Sequence, residues 1–259
     1  MKAADFIREK TGIEKFDIAI VGGSGISLEA STSEIPYSLI PDMPEPYVPG
    51  HTGILKVFEI NSKKVLFFEG RFHYYEGRTD EEIRFIPCLC KSLGVKVFIP
   101  TCSSGAVSRK AAQCDIGIIT DHINLMGRNP LAGLIKNHGA KVFVNGKEFY
   151  SKKLTKAFLE AALKLGIKAE KVTLAAVLGP NYETFAEVRM LEILGADCVS
   201  MSTVPEVIAA NFFDMEVIGL TIPVNDTLKL ETNHEEVVKV AKEKSLLLSK
   251  LLMEVLSNF

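Results

Sequence analysis

Lys64-Val65-Leu66-Phe67-Phe68 leads through Glu69 into Gly70-Arg71-Phe72-His73-Tyr74-Tyr75-Glu76-Gly77. The first five residues read as a buried β-strand. A chain that leaves a sheet interior between two glycines turns sharply. In that turn it carries an arginine, a histidine, two tyrosines and a glutamate. Arg71 offers a planar fork of donors suited to a phosphate or carboxylate. His73, two residues on, can add a donor to the same anion, and Tyr75 adds a flat amphipathic face. Taken alone, the octapeptide fits a surface turn with an ordinary ion pair equally well; the rest of the chain decides.

The 259 residues suit one α/β domain or two small ones. With 47% apolar and 24% charged residues the chain is expected to be soluble and globular, with enough apolar material for a substantial core. A formal net charge of −2 gives no reason to expect a nucleic-acid partner. No uncharged apolar run approaches the ~18 residues of a membrane span. The opening Met1-Lys2-Ala3-Ala4-Asp5-Phe6-Ile7-Arg8 carries charges throughout, unlike a signal peptide, and reads as a short helix closed by Gly12. Cys88, Cys90, Cys102, Cys114 and Cys198 lack C-x-x-C spacing, so they are expected to behave as small hydrophobes in a reducing cytoplasm. His51, His73, His122, His138 and His234 lack metal-ligand spacing, and no metal site is expected.

Residues 16–21 read as a strand that enters Gly22-Gly23-Ser24-Gly25. Such a turn after a first strand suits phosphate binding by backbone N–H groups. It is neither a dinucleotide loop, because Leu28 stands where the last glycine belongs, nor a Walker loop. Residues 31–50 form an irregular loop ending in Val48-Pro49-Gly50-His51. Residues 54–60 and 63–68 read as a hairpin turning at Asn61-Ser62, which brings His51 and Arg71 to one end of the sheet. Thr79 and Glu82 make a capping box for a helix closed by Gly94. Residues 95–100 are a strand followed by a hydroxyl-rich turn, Thr101-Cys102-Ser103-Ser104-Gly105. Residues 116–120 are another strand, ending in Asp121-His122-Ile123-Asn124 with His122 structural. Residues 125–150 form a long glycine-punctuated loop of the kind that is often functional.

Ser151 caps a helix that runs to Gly166, and residues 172–178 form a strand ending in Gly179-Pro180-Asn181-Tyr182-Glu183. Thr184 and Glu187 make a second capping box, with Gly195 closing that helix. A short strand at 197–200 meets Met201-Ser202-Thr203-Val204-Pro205-Glu206. There Thr203 and Glu206 are expected to make a third capping box, placing Ser202 at a helix N-terminus that favours an anion. Residues 217–223 are the last core strand, ending in Val224-Asn225-Asp226. Asn233 caps the terminal helix, with His234 in its first turn.

Strands alternating with helices imply an α/β fold with a largely parallel sheet. Ligands of open α/β sheets bind outside the carboxyl ends of the strands. The residues there fall into two chemical sets. The serines, Arg71 and His73 suit inorganic phosphate. Glu183 and Asn225, beside Tyr182, suit a planar heterocycle with donors and acceptors on its edge. No lysine, Walker aspartate or metal cluster is present for a nucleoside triphosphate.

From about residue 16 to the end, the chain resembles the trimeric purine nucleoside phosphorylases that prefer 6-oxopurines. The resemblance rests on Gly22-Gly23-Ser24-Gly25, Val48-Pro49-Gly50-His51, the octapeptide 70–77, Asp121-His122-Ile123-Asn124, Gly179-Pro180-Asn181-Tyr182-Glu183-Thr184, Met201-Ser202-Thr203-Val204-Pro205-Glu206 and Asn233-His234-Glu235-Glu236, in the family's order. It implies one domain over 1–259, a three-layer α/β/α sandwich around a mixed, largely parallel sheet, and a homotrimer. It implies that Ser24, His51, Arg71, His73, Ser103 and Ser202 hold phosphate. Tyr75, Met201 and His234 would hold the ribose and Tyr182 the purine, with Glu183 at N1/N2 and Asn225 at N7/O6. His73, Asn225 and Glu183 would carry the chemistry, which is reversible phosphorolysis without a cofactor. Two alternatives are a methylthioadenosine-cleaving relative, against which the intact Arg71-Phe72-His73 motif argues, and a non-catalytic nucleoside-binding protein.

Three departures from the family pattern stand out. Cys102-Ser103-Ser104-Gly105 replaces Asn-Ala-Ala-Gly. Gly139 stands about where a phenylalanine caps the neighbouring subunit's ribose, leaving His138 or Phe143 as substitutes. Val224-Asn225-Asp226 replaces Thr-Asn-Lys at the base.

Overall fold

Ile18-Ala19-Ile20-Val21 is apolar at every position because both its faces are covered. Ile18 and Ile20 join one core cluster, and Ala19 and Val21 another. That split follows from the two-residue period of a strand, and a strand covered on both faces needs an unbroken apolar run. Val65 and Phe67 divide from Leu66 and Phe68 in the same way. In this computed structural model, residues 1–23, 26, 28, 31–48, 51–227 and 234–258 are described, the side chains of 234–239 excepted.

In chain order, α1 (Lys2–Thr11) and β1 (Ile18–Val21) precede β2 (Ser33–Pro36), β3 (Ile54–Ile60) and β4 (Lys63–Glu69). Next come α2 (Asp80–Ser92), β5 (Val97–Ala106), α3 (Arg109–Gln113), β6 (Ile116–Asn124) and α4 (Ile135–His138). The rest is α5 (Lys152–Leu165), β7 (Ala169–Ala176), α6 (Phe185–Ile193), β8 (Cys198–Ser200), α7 (Val204–Phe212), β9 (Glu216–Val217), β10 (Gly219–Asp226) and α8 (His234–Leu256). Among the described residues ten strands form one sheet in the order β10-β6-β7-β8-β5-β1-β4-β3-β2, with β9 beside β5. Because β5 also pairs with β10, five of these strands close into a ring. The sheet is mixed: β1 runs parallel to β4 and β5, whereas β3–β4, β5–β8 and β6–β10 are antiparallel. Helices α1, α2 and α7 cover one face through Ala3, Ile7, Ile83, Leu89, Val204 and Ile208. Helices α5 and α8 cover the other through Leu154, Phe158, Leu248 and Leu252. This is the expected three-layer arrangement.

Some local expectations change. The hydroxyl-rich run after Pro100 is not a turn but the second half of β5. Thr101, Cys102, Ser103 and Ser104 pair in parallel with Leu220, Thr221, Ile222 and Pro223. Inward hydroxyls find partners there, with Thr101 Oγ1 donating to the Val21 carbonyl (2.9 Å) and Thr221 Oγ1 to Ser104 Oγ (2.7 Å). β6 likewise continues to Asn124, past a bulge between Ile119 and Asp121. The 125–150 stretch contains α4 and two 3₁₀ turns, Gly139–Val142 and Gly146–Glu148. The capping boxes at Thr79 and Thr184 form, but the third does not. Thr203 sits at φ 70°, a strained conformation for a β-branched residue, and makes no cap bond because its hydroxyl and Glu206 both face Arg71. No described helix is long and apolar enough to cross a membrane.

Candidate active site

Arg71 leaves β4 through Gly70, whose φ of 138° and close approach (an added Cβ would lie 3.3 Å from His51 Cβ) leave room only for glycine. The arginine is 1% exposed. Its Nη2 donates to the carbonyls of Val21 (3.1 Å) and Thr101, and its Nη1 to Thr203 Oγ1 (2.9 Å), 3.6 Å from Glu206 Oε2. The fork expected to grip an anion is therefore turned onto the protein. It ties β1, β5 and the start of α7 together and keeps a positive charge beneath the strand ends, where low polarity magnifies its reach. Arg71 Nε and Glu206 Oε2 are buried without hydrogen-bond partners. Burial pushes the Glu206 carboxyl above its usual range, against the pull of Arg71.

His73 is held by Glu76. Its Nδ1 lies 2.9 Å from Glu76 Oε1, which also accepts the His73 backbone N–H at 2.7 Å. Burial raises the Glu76 carboxyl, but these bonds and the N–H of Tyr47 outweigh it and hold the group at about 2. Burial lowers His73, with the Glu76 bond opposing. A neutral imidazole facing an ionised carboxylate donates through Nδ1, leaving the lone pair on Nε2. The donor expected for the anion thus goes to Glu76, and His73 presents an acceptor, suited to a P–OH or sugar hydroxyl. The His51 ring stands edge-on to His73 at 5.4 Å. Burial, then the charges of Arg71 and His73, lower His51 to about 3, so it too is neutral at neutral pH. Tyr75 stacks on the His73 ring at 4.6 Å.

A chain of hydroxyls joins the remaining phosphate candidates. Ser200 Oγ donates to the Ser103 carbonyl (3.2 Å) and lies 3.1 Å from Ser202 Oγ. Ser202 Oγ lies 3.3 Å from Thr203 Oγ1, the acceptor for Arg71. Ser103, Ser202 and Arg71 are therefore one network, with Ser200 and Thr203 as links. Gly23 closes it from β1, its N–H donating to Thr101 Oγ1 at 3.0 Å. Ser104 faces Thr221 instead. Ser24 lies outside the described residues.

The other set gathers around the far part of β5. Asn225 pairs in register with Gly105, after a bulge at Pro223, and a Cβ on Gly105 would come within 3.6 Å of Asn225 Oδ1. Met201 packs on Gly179, where an added Cβ would collide with its sulfur. Glu183 is half-buried, and burial raises its carboxyl, with its own backbone N–H opposing and Glu187 adding. Tyr182 is 82% exposed and lies near Tyr75. His234 opens α8, its side chain outside the described residues. The structure thus brings His51, Arg71, His73, Tyr75, Ser103 and Ser202 to one set of strand ends, with Tyr182 near Tyr75, Met201 preceding Ser202 and Asn225 beside Gly105, while Glu183 follows Tyr182 in the chain. Sequence reasoning missed Glu76, Thr101, Thr203 and Glu206 as their supports. The i,i+3 spacing of His73 and Glu76 on a tight turn was the available signal for the first.

A profile of the phosphorylase superfamily matches residues 17–257. Purine nucleoside phosphorylase 1 of Geobacillus stearothermophilus is 37% identical over 249 residues, spanning 93% of this chain and 90% of that one. The Bos taurus purine nucleoside phosphorylase is 34% identical over 242 residues, or 87% and 83% of the two chains. A Schistosoma mansoni purine nucleoside phosphorylase in complex with inosine has a TM-score of 0.91 at 30% identity, over 100% of this chain and 95% of that one. This chain belongs to the phosphorylase superfamily, among its purine nucleoside phosphorylases.

Proposed function

We propose that this chain catalyses reversible phosphorolysis of purine ribonucleosides and their deoxy forms, giving free base and (deoxy)ribose 1-phosphate in purine salvage. The observation that carries the reading is β5: Ser103 belongs to the network of Arg71 and Ser202, and Gly105, two residues on, stands against Asn225. One strand end thus sets an anion site beside a site for a planar base. Phosphate is the co-substrate, and no cofactor or metal is needed.

A phosphate dianion is already a nucleophile, so the protein has to place it against C1′ and stabilise an oxocarbenium-like sugar and a departing purine. Arg71 supplies the buried positive charge, Ser103 and Ser202 the polar bed, and neutral His73 accepts the remaining P–OH. Asn225 and Glu183 bind the base more strongly as negative charge develops on it. A carboxyl raised by burial, as at Glu183, is matched to sharing a proton with the purine N1 edge. Asn225 offers NH₂ to O6, which favours inosine and guanosine over adenosine, and its carbonyl accepts from N7–H once the departing base has taken a proton from solvent at N7.

The working unit is a homotrimer in the cytoplasm, with each site completed by a neighbour. Phe143, 76% exposed, is the covering residue; His138 is engaged edge-on with Phe212 of its own chain at 5.2 Å. The decisive experiment is hypoxanthine release from inosine with and without phosphate. Release only with phosphate is expected, and equal release without it overturns the proposal.

A further inference from the structure

We propose that Arg78 is a positioning residue that latches the loop of residues 42–48 onto Glu76, and thereby sets His51 and His73 against the phosphate. This rests on the phosphorolytic reading above. Arg78 has only 7% of its side chain exposed although it lies at the rim of the site. Its guanidinium stands 4.1 Å from the Tyr47 ring centroid and 5.6 Å from that of Phe72. Nη1 donates to Glu82 Oε1 at 2.8 Å, and Nη2 donates to the Glu45 carbonyl and lies 3.5 Å from Glu76 Oε2.

Glu76 is the second half of the device. Its Oε2 accepts the Tyr47 N–H at 2.9 Å while its Oε1 holds His73. The loop is thus tied through the Glu45 carbonyl, the Tyr47 ring and the Tyr47 amide to two residues of one turn. His51 follows Tyr47 by four residues, and its ring meets that of His73. Of the loop's side chains Met43 is buried in the core, and residues 44–48 beyond it depend on these ties. Tyr47 is 70% exposed, and a cleft of about 630 Å³ opens between the loop, Arg78 and Glu82. A segment with few buried apolar contacts takes its position from its polar anchors. Those anchors need a flat face for the ring and a fork for two acceptors, which a lysine ammonium does not provide.

The test uses the full-length protein and the Arg78→Met and Arg78→Lys variants, with phosphate and inosine varied in turn. Both variants should raise the phosphate KM about tenfold, as small misplacements of binding groups do, with kcat and the inosine KM within about twofold of wild type. Hydrogen exchange of the peptide carrying the Tyr47 amide should be faster in both. An unchanged phosphate KM, full rescue by Arg78→Lys, or a common shift of kcat and both KM values overturns the proposal. If the Arg78 variants fold poorly, Tyr47→Leu at the exposed position removes only the ring face; about a threefold rise in phosphate KM is then expected, and no rise overturns it. Should the wild type release no base with phosphate, the functional reading fails, and the exchange rate at Tyr47 in Arg78→Met alone decides whether the latch exists.

Discussion

The two halves of the site are built differently. Around Arg71 the side chains are buried and bonded to one another: a guanidinium on two backbone carbonyls, a strained threonine, a run of serine hydroxyls and a histidine fixed by a carboxylate. The second set is more open, with Asn225 and Glu183 only half-buried and Tyr182 largely exposed. Inorganic phosphate is small, invariant and strongly hydrated, so its binding groups must be organised before it arrives. A purine nucleoside brings its own apolar faces, and a site for it can be completed by the ligand.

The largest effect should come from the preorganised half. Arg71→Ala removes its buried charge and leaves Glu206 without a counter-ion. We expect kcat/KM for phosphate to fall about 100-fold or more, and stability to fall by about 3 kcal/mol in denaturant titration. A variant with normal phosphate kinetics would break the division between the halves. Next is Asn225→Asp, measured as the inosine-to-adenosine ratio of kcat/KM. One unsatisfied buried polar pair costs about 1–3 kcal/mol, so the wild type should favour inosine by about tenfold to a few hundredfold, and the variant should shift toward adenosine. A wild type that accepts both equally assigns selectivity to another group, Asp226 first.

Phe143→Ala should raise the nucleoside KM about fivefold and leave the phosphate KM unchanged, as loss of one aromatic contact of about 1 kcal/mol predicts. Sedimentation of the same variant shows whether assembly persists. An effect on phosphate instead would mean that the loop belongs to the closed half. The smallest effect is on pH dependence. His51 titrates from 6.5 unfolded to about 3 folded, and Glu76 from 4.5 to about 2. In both, the unfolded chain binds more protons as pH falls, so stability present at neutral pH is lost through pH 6.5 to 3 for His51 and 4.5 to 2 for Glu76. Melting temperature should therefore decline on acidification, and His51→Gln should flatten the decline from pH 6.5 to about 3 and leave only the Glu76 share between 4.5 and about 2.

Much of this division is legible in the sequence, for physical reasons. Strands covered on both faces are unbroken apolar runs, so β1 and β4 are plain from residues 18–21 and 64–68 alone. The capping boxes at Thr79 and Thr184 depend on neighbours three residues away and form as read. What sequence misreads depends on distant partners. Thr101 to Gly105 resembles a turn, because the hydrogen bonds that make it a strand come from residues 220–225. Thr203 resembles a cap until Arg71, 132 positions away, claims its hydroxyl. Arg71 itself was recognisable as central, but its direction was not, since that is set by carbonyls of two other strands.

One consequence of the sheet's layout concerns self-association. Among the described residues each strand of the ringed half has a neighbour on both sides over part of its length. The open half ends at β2, which is four residues long, finishes in Pro36 and places Glu34 3.9 Å from Lys56 of β3. A short margin with a proline and a charge is a poor template for strand addition. At this margin, extension of one copy's sheet by another is disfavoured, and contact through side chains and loops is the easier route.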